Sequence, residues 1–206
     1  AGDADTMRRT VGLALEHGVA IGAHPSYPDR DNFGRVDILG VSLQPDQLVG
    51  ALREQLHRLQ DICCASGTRI RHVKPHGALY NRAARDPAVA MLIVQAIANF
   101  DDSLLLYGLS GSVMKQVADV AGIRFVSEVF ADRTYRPDGS LTPRSEPGAL
   151  IEEPAVAVAE VLKMVKEGRG ETVCLHGDGS HAVEFARMIH EALTDARIRI
   201  ISPSRG

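Results

Sequence analysis

Residues 70–77 read Ile-Arg-His-Val-Lys-Pro-His-Gly, a short apolar run that ends in basic and imidazole side chains. Alternate side chains of an extended strand share a face, so His72, Lys74 and His76 point the same way if the strand persists through Pro75. The design recurs at residues 172–179, where Thr-Val-Cys-Leu precedes His-Gly-Asp-Gly. Both segments predict a strand whose carboxyl end carries reactive side chains.

Other apolar runs of strand length alternate with helical patterns. The strand candidates are 19–24, 70–76, 104–109, 123–129, 172–176 and 197–201. Helices are predicted over residues 45–66, 87–99, 110–121, 154–167 and 179–195, with Gly67, Gly122 and Gly168 where C-caps are expected. This alternation predicts parallel strands joined by right-handed crossovers.

Two architectures fit an alternating α/β pattern, an open doubly wound sheet and a (β/α) barrel. An open sheet gathers its ligand groups at one switch point, whereas a barrel collects a contribution from nearly every strand at one mouth. Polar motifs follow most of the predicted strands, at residues 23–30, 74–77, 128–133 and 174–179. Their distribution favours the barrel, built as a single domain over residues 1–206.

Composition narrows the classes of partner. The chain has 206 residues, 45% hydrophobic and 24% charged, and a net charge of −3 with both signs interspersed. This balance argues against nucleic acid and against an anionic membrane surface, and no apolar run approaches the ~18 residues of a membrane span. The three cysteines, two of them adjacent, do not form a disulfide framework. We expect a soluble, cytoplasmic protein.

Three histidines, His24, His76 and His176, each lie at the carboxyl end of a different predicted strand. In a barrel they would converge on one pocket, where imidazoles serve as metal ligands or as general acids and bases. His24 is the best metal-ligand candidate, although the sequence leaves metal dependence open. The alternative is that each ring only satisfies a local hydrogen bond. The remaining helix histidines, which we interpret as structural or solvated, are His17, His57 and His190.

Several charged side chains are candidates for contacts with an anionic substrate. Lys74 is a compact cation suited to a carboxylate or phosphate. Asp178 is a candidate for orienting His176 or acting as a base, or else it is a helix N-cap. Arg133 and Arg144 flank the long irregular stretch and suit a bidentate clamp on an anion, with solvated arginines as the alternative.

Other features limit the chemistry further. Glu128 ends a predicted strand and is a candidate carboxylate partner, whereas Asp29 and Arg30 suit a turn-stabilising pair. Cys174 is interpreted as a small core residue, because spacing alone places no base beside it. Neither a Gly-x-x-x-x-Gly-Lys-Ser/Thr loop nor a Gly-x-Gly-x-x-Gly motif occurs. The chain therefore shows no nucleotide site of its own.

Five segments in order resemble the LamB/YcsF family, from the first residues almost to the last. They are Ile-Gly-Ala-His-Pro-Ser-Tyr-Pro-Asp-Arg at 21–30, Arg-His-Val-Lys-Pro-His-Gly-Ala-Leu-Tyr-Asn at 71–81, Glu-Val-Phe-Ala-Asp-Arg at 128–133, Pro-Asp-Gly-Ser-Leu-Thr-Pro-Arg-Ser at 137–145 and Val-Cys-Leu-His-Gly-Asp-Gly at 173–179. The resemblance implies a divergent, seven-stranded (β/α) barrel related to the polysaccharide-deacetylase and glycoside-hydrolase barrels.

The resemblance also implies an activity. Family members are expected to open 5-oxo-L-proline to L-glutamate, coupled to ATP hydrolysis by a complex with the B and C subunits of 5-oxoprolinase. Those partners are expected to supply an activated, phosphorylated lactam, which fits a chain that lacks a nucleotide motif. The catalytic candidates are Lys74, His76, His176 and Asp178, and the substrate-binding candidates are Asp3, His24, Arg30, Glu128, Arg133 and Arg144.

The sequence departs from the family pattern in two places. The family begins with an acidic strand, Asp-x-Asn-x-Asp-x-Gly-Glu, and a Cys-Gly-Phe-His that leads into Ala-Gly-Asp, whereas this sequence starts at that Ala-Gly-Asp. The family also has a longer loop where this chain runs from Gly168 to Glu171. We expect both segments, including one barrel strand, to belong to the protein.

Two other functions stay open at the level of sequence. One is a metal-dependent amide or N-acetyl hydrolase, in which His24 and other groups bind a divalent ion that activates water. The other is a non-catalytic subunit that binds substrate for its partners.

Overall fold

The computed structural model describes residues 2–177, 179 and 181–203. Helices and strands alternate along this part of the chain, as predicted. The elements are α1 (Ala4–Glu16), β1 (Gly22–Ala23), α2 (Pro45–Ala65), β2 (His72–Val73), α3 (Gly77–Ala83), α4 (Pro87–Ala98), β3 (Leu105–Leu109), α5 (Met114–Val120), β4 (Phe125–Phe130), α6 (Pro154–Lys166), β5 (Thr172–Cys174) and α7 (Ala182–Asp195).

The described strands form one five-stranded sheet in the order β1-β2-β3-β4-β5. β1 pairs in parallel with β2, β2 with β3, and β4 with β5. In the β1–β2 register Gly22 lies opposite His72, and in the β4–β5 register Glu128 lies opposite Thr172. Sequential strands that pair in parallel through helical crossovers confirm the predicted α/β class.

The chain divides into two compact units. Unit 1 comprises residues 1–108 and 112–125, and contains α1 to α5 with β1 and β2. Its core is one apolar cluster, in which α2 buries Leu48, Leu52 and Leu56. These leucines stand one turn apart on a single face of α2, and their spacing of i, i+4 and i+8 in the sequence is typical of such an apolar stripe. The helix α4 is apolar almost all round and buries both Val89 and Ile93 among other residues.

Unit 2 comprises residues 109–111 and 126–205. Its core lies between the sheet and the two helices α6 and α7, and includes Val161, Met164, Phe185 and Ile189. Val173 and Leu175 pack against this cluster, as the alternation of β5 predicts.

Local signals explain where several helices begin and end. Asp86 caps α4 by accepting hydrogen bonds from two backbone amides of its first turn, and Pro87 follows at the first helical position. At the other ends, Gly67, Gly122 and Gly168 follow α2, α5 and α6 with φ values of 71°, 72° and 64°. Glycine adopts this left-handed conformation without a Cβ penalty, so the chain turns away from each helix at these positions.

The structure corrects several predicted boundaries. The strands are shorter than predicted, and β2 ends at Val73 because Pro75 has no amide hydrogen to donate. The predicted strand at 197–201 is wrong: Arg197 has a φ of 58° and turns the chain after α7, while Ile200 and Ile201 are 57% and 70% exposed. The helices α1 and α3 were not predicted, since α1 buries only Val11 and gives no clear apolar stripe.

The close approach of β1 and β2 generates a test. A Cβ on Gly22 would overlap the imidazole of His72, whereas a Cβ on Gly50, within α2, would meet no atom within 4 Å. We expect Gly22→Ala to lower the free energy of unfolding by about 1–3 kcal/mol through overpacking. Gly50→Ala is the matched control and is expected to raise it by about 0.5–1 kcal/mol.

Urea unfolding of the two variants beside the parent protein measures both changes. A Gly22→Ala variant as stable as the parent would contradict the packing described for β1 and β2.

Candidate functional site

The imidazoles of His24 and His76 are in direct contact within unit 1. Nε2 of His24 lies 3.0 Å from Nδ1 of His76, and the two rings meet edge to face with centroids 4.8 Å apart. The outer nitrogens bond to backbone carbonyls: Nδ1 of His24 to Lys74 at 2.6 Å, and Nε2 of His76 to Phe33 at 2.9 Å. The structure therefore joins three residues that the sequence singled out, His24, His76 and the backbone of Lys74.

The loop at residues 29–35 supplies the support for His76. Phe33 and Gly34 both have positive φ, at 55° and 64°, and the Phe33 ring lies 5.2 Å from the His76 ring, edge to face. The Gly34 carbonyl accepts the amide hydrogen of Ala78 at 3.0 Å. A Cβ on Gly77 would come within 2.5 Å of that carbonyl oxygen, so the close approach of loop and helix requires glycine there.

His72 lies on β2, two residues before Lys74, and is held in its neutral form. Its ring stacks on Tyr107 with centroids 4.2 Å apart and an interplanar angle of 13°. Burial, and then the positive charge of Lys74, lower the pKa of His72 to about 4. No described residue bonds its buried Nδ1. A neutral imidazole at this position adds no charge to the neighbourhood of Lys74.

The ring nitrogens of His24 and His76 bear on the question of a metal ion. A histidine ligand presents a bare nitrogen to the metal, but all four nitrogens of this pair lie within hydrogen-bonding distance of a carbonyl or of each other. Among the described residues, no group of three or more histidine, cysteine, aspartate or glutamate side chains is arranged to hold an ion. Within the described residues, the ring nitrogens of His24 are engaged in these contacts.

In unit 2, His176 pairs with Asp132. Its Nδ1 lies 2.7 and 3.0 Å from the two carboxylate oxygens, and its backbone amide donates to the same carboxylate at 3.3 Å. The side chains are 29% and 14% exposed, so the pair is shielded but reachable. Burial raises the pKa of the Asp132 carboxyl, but the hydrogen bonds from His176 outweigh it and the pKa falls below its usual value.

Asp132 is the residue that the sequence analysis did not select. It follows the carboxyl end of β4, and His176 follows the carboxyl end of β5, the strand paired with β4 in parallel. Two polar residues at corresponding positions beyond paired parallel strands indicate a contact between their side chains. Asp132 was visible as such a residue in the Glu-Val-Phe-Ala-Asp-Arg motif. The predicted partner of His176, Asp178, lies outside the described residues.

The structure places the remaining candidates in separate settings. Glu128 is buried within β4, at 2% exposure. Arg133 is also buried and donates to the carbonyls of Thr142 and Ala149, so its guanidinium holds the 133–150 loop together. Burial and the charge of Arg144 lower the pKa of Arg133. Arg144 itself is exposed on that loop.

Asp3 and Arg30 lie at the surface of unit 1. Asp3 caps α1 by accepting the amide hydrogen of Thr6 at 2.8 Å, and the hydrogen bonds from Thr6 lower the pKa of its carboxyl. The positive charge of Arg30 contributes in the same direction. In the neighbouring loop, Asp29 accepts a hydrogen bond from the Asn32 side chain at 3.0 Å, which stabilises the turn.

The elements and motifs described above define a parallel α/β protein with histidine-rich loops after its strands. The LamB/YcsF family model matches residues 1–205, so the chain belongs to the LamB/YcsF family. No described helix is long and apolar enough to cross a membrane.

Relatives and one solved structure agree with this assignment. The chain is 45% identical to the 5-oxoprolinase A subunit of Haemophilus influenzae strain PittEE over 212 residues, covering 97% of this chain and 85% of that protein. It is 46% identical to the 5-oxoprolinase A subunit of Geobacillus kaustophilus over 217 residues, covering 100% and 84%. The lactam utilization protein of Thermus thermophilus has the same fold, with a TM-score of 0.87, 38% identity, and coverage of 97% and 83%.

The half-buried imidazole of His72 predicts how stability depends on pH. Its folded pKa of about 4 lies below the ordinary value of about 6.5, so the unfolded chain binds the proton more tightly. The stabilising contribution is complete above about pH 6.5 and is lost as the pH falls towards 4. The parent protein loses free energy of unfolding as the pH falls. We expect this loss to be smaller by roughly 1–3 kcal/mol in His72→Gln.

Urea midpoints at pH 7 and pH 5 measure the effect, with the exposed His190→Gln as the control. Equal acid sensitivity in the parent protein and in His72→Gln would contradict a neutral His72 with a lowered pKa.

Proposed function

We propose that this chain is the A subunit of an ATP-dependent 5-oxoprolinase, a hydrolase that opens 5-oxo-L-proline to L-glutamate. The pair formed by Asp132 and His176 is the observation that carries the proposal, because it supplies an oriented general base. The names of relatives that share nearly half of its residues over almost the whole chain support the choice of substrate.

A general base needs a bare nitrogen and a fixed orientation. Among the described residues, Nδ1 of His176 contacts the carboxylate oxygens of Asp132, which accept hydrogen bonds. In the neutral ring this arrangement places the hydrogen on Nδ1 and the lone pair on Nε2. The carboxylate also stabilises the imidazolium that forms when Nε2 takes a proton. His76 is less suited to this role, since both of its nitrogens are already bonded.

The chemistry follows from the low reactivity of a lactam. In our proposal the B and C subunits use ATP to phosphorylate the lactam carbonyl oxygen, which makes the ring carbon open to attack by water. His176 removes a proton from that water as the new carbon–oxygen bond forms. The ring carbon–nitrogen bond of this adduct breaks with protonation of the nitrogen, which leaves an acyl phosphate on the γ-carboxyl group. A second water attacks the carbonyl carbon of the acyl phosphate, and the phosphate leaves with the former lactam oxygen to give glutamate. The role of Lys74 as a compact cation for an anionic substrate group stays a prediction from the sequence.

The assignment of the complex is tested by glutamate release from 5-oxo-L-proline and ATP. We expect release only when the chain is combined with its B and C subunits, because the sequence of this chain carries no nucleotide motif. The same B and C subunits combined with the Haemophilus influenzae A subunit serve as the positive control. No release with partners that pass this control would contradict the proposal and favour a metal-dependent amide hydrolase.

The role of Asp132 is tested in the same complex. We expect Asp132→Asn to lower kcat/KM by about 10²–10⁴-fold, because His176 loses both its orientation and the charge that stabilises its imidazolium. Asp195→Asn, an exposed carboxylate at the end of α7, is the matched control and is expected to retain full activity.

Because Asp132 acts through His176, the double variant Asp132→Asn/His176→Gln should be about as slow as His176→Gln alone. Full activity in His176→Gln would contradict the general-base role and would support a chain that only binds substrate for its partners.

A further inference from the structure

The guanidinium of Arg169 lies over the ring of Tyr135 in unit 2. Its carbon Cζ is 5.4 Å from the centre of the ring, a distance at which a cation is attracted to an aromatic face. The Arg169 side chain is exposed, and no described carboxylate pairs with it. The contact with Tyr135 therefore orders the guanidinium without using a described acceptor for its N–H groups.

The backbone of Arg169 is fixed on both sides. Its amide donates to the Met164 carbonyl at 2.9 Å, directly after Gly168 turns the chain at the end of α6 with a φ of 64°. Its carbonyl accepts a hydrogen bond from the hydroxyl of Ser110. Because both backbone groups are held, the side chain extends from a defined point, and less freedom is lost when it binds a ligand.

The hydroxyl of Tyr135 is held at the end of β4. Its oxygen accepts the amide hydrogen of Phe130 at 2.7 Å. Burial is the main cause that raises the pKa of Tyr135 to about 12, so the hydroxyl keeps its own hydrogen at neutral pH. A hydroxyl donates as well as accepts, and no described residue accepts this hydrogen. Tyr135 therefore has one further donor on the ring that carries Arg169.

Phe130 connects Tyr135 to the proposed general base. It is the last residue of β4, and its ring stacks on the imidazole of His176 with centroids 5.7 Å apart and an interplanar angle of 18°. Asp132, two residues later, bonds Nδ1 of the same imidazole. The Tyr135 hydroxyl and the His176 ring thus both contact one residue at the carboxyl end of β4.

The neighbouring charges favour an anionic ligand. Arg133 is buried, and its hydrogen-bond partners among the described residues are two carbonyl oxygens of its own loop. Burial lowers the pKa of Arg133 and the charge of Arg144 lowers it further, while Tyr135 is among the groups close enough to act in the opposite sense. The Asp132 carboxylate is already bonded to His176. This concentration of positive charge is complementary to an anion.

We propose that Arg169 and Tyr135 form a subsite for an oxyanion of the substrate, to which the guanidinium and the tyrosine hydroxyl both donate hydrogen bonds. The identity of the oxyanion rests on the proposed function: it is the carboxylate of 5-oxo-L-proline or the phosphoryl group of the activated lactam. Arginine binds either group with two parallel hydrogen bonds. Binding there places the substrate next to the imidazole of His176.

The first test measures binding to the full chain with ¹⁵N-labelled arginine, by ¹H–¹⁵N spectra at mildly acidic pH. The signal of Arg169 Nε–H is identified by its loss in Arg169→Gln. We expect it to shift saturably with 5-oxo-L-proline if the oxyanion is the carboxylate, and with inorganic phosphate if it is the phosphoryl group. The control ligand 5-oxo-L-prolinamide, which lacks the carboxylate, should leave the signal in place. A signal that neither anionic probe shifts would overturn the proposal.

The second test measures turnover in the reconstituted complex. We expect Arg169→Gln to lower kcat/KM for 5-oxo-L-proline about 10–100-fold, because hydrogen bonds to a charged group are lost. A carboxylate contact predicts the change in KM, whereas a phosphoryl contact predicts it in kcat. Arg169→Lys should recover part of the loss, since lysine keeps the charge without the planar fork. Arg187→Gln, at an exposed arginine of α7, is the matched control and should behave as the parent protein.

Tyr135→Phe separates the hydroxyl from the cation. The variant keeps the ring under Arg169 and removes the donor, so we expect a smaller loss of kcat/KM, about 2–10-fold. It also leaves the Phe130 amide without its acceptor, so its urea midpoint is measured in parallel. If Tyr135→Phe does not fold, the exposed Arg169→Gln decides the question.

An Arg169→Gln complex with the kcat/KM of the parent complex would overturn the proposal. A parent complex that releases no glutamate would instead contradict the proposed function. The arginine spectra would still decide whether an oxyanion binds at Arg169.

Discussion

Two backbone hydrogen bonds beyond the end of β2 hold the histidines of unit 1 in place. The amides of Lys74 and His76 donate to the carbonyls of Ala23 and Pro25, which continues the pairing of β1 and β2 past their last residues. Parallel strands bring their carboxyl ends to the same edge of a sheet. The two hydrogen bonds extend the regular backbone pairing of β1 and β2 into the loops that follow them. The contact between His24 and His76 depends on it.

Unit 2 uses the same device with different chemistry. The amide of Ala131 donates to the Cys174 carbonyl at 2.9 Å. Asp132 directly follows Ala131, and His176 lies two residues after Cys174. The carboxylate then fixes the imidazole by two contacts and the backbone by a third. In both units, short strands and a few hydrogen bonds to loops position side chains that the strands themselves do not carry.

Much of the fold could be predicted from the sequence because its signals are local. The leucine stripe of α2 and the proline after Asp86 specify helices without reference to the rest of the chain. The segment at 197–201 misled because alternating isoleucines resemble a strand, while the positive φ of Arg197 is invisible to a periodicity argument. The helix α3 was missed because it starts at Gly77, where the close approach of Gly34 depends on tertiary packing.

The candidate site residues likewise divide into those that local spacing reveals and those whose role depends on tertiary contacts. The histidines at the strand ends were found because spacing places them there. Asp132 was missed because its significance lies in register: it becomes a partner of His176 only when β4 and β5 are paired. Arg133 looked like a free cation in the sequence, but the loop folds back and its carbonyls take up the guanidinium hydrogens. Hydrogen bonds between residues distant in sequence decide such cases, and a pattern of residue types does not contain them.

The most direct test of the account follows one oxygen atom. The reconstituted complex is supplied with ATP and 5-oxo-L-proline labelled with ¹⁸O at the lactam carbonyl, and the products are analysed by mass spectrometry. Attack of a second water at the carbonyl carbon of the acyl phosphate predicts that the label appears in inorganic phosphate. Label that stays entirely in glutamate, with none in phosphate, would contradict the attack of water at carbon that releases the phosphate in this account.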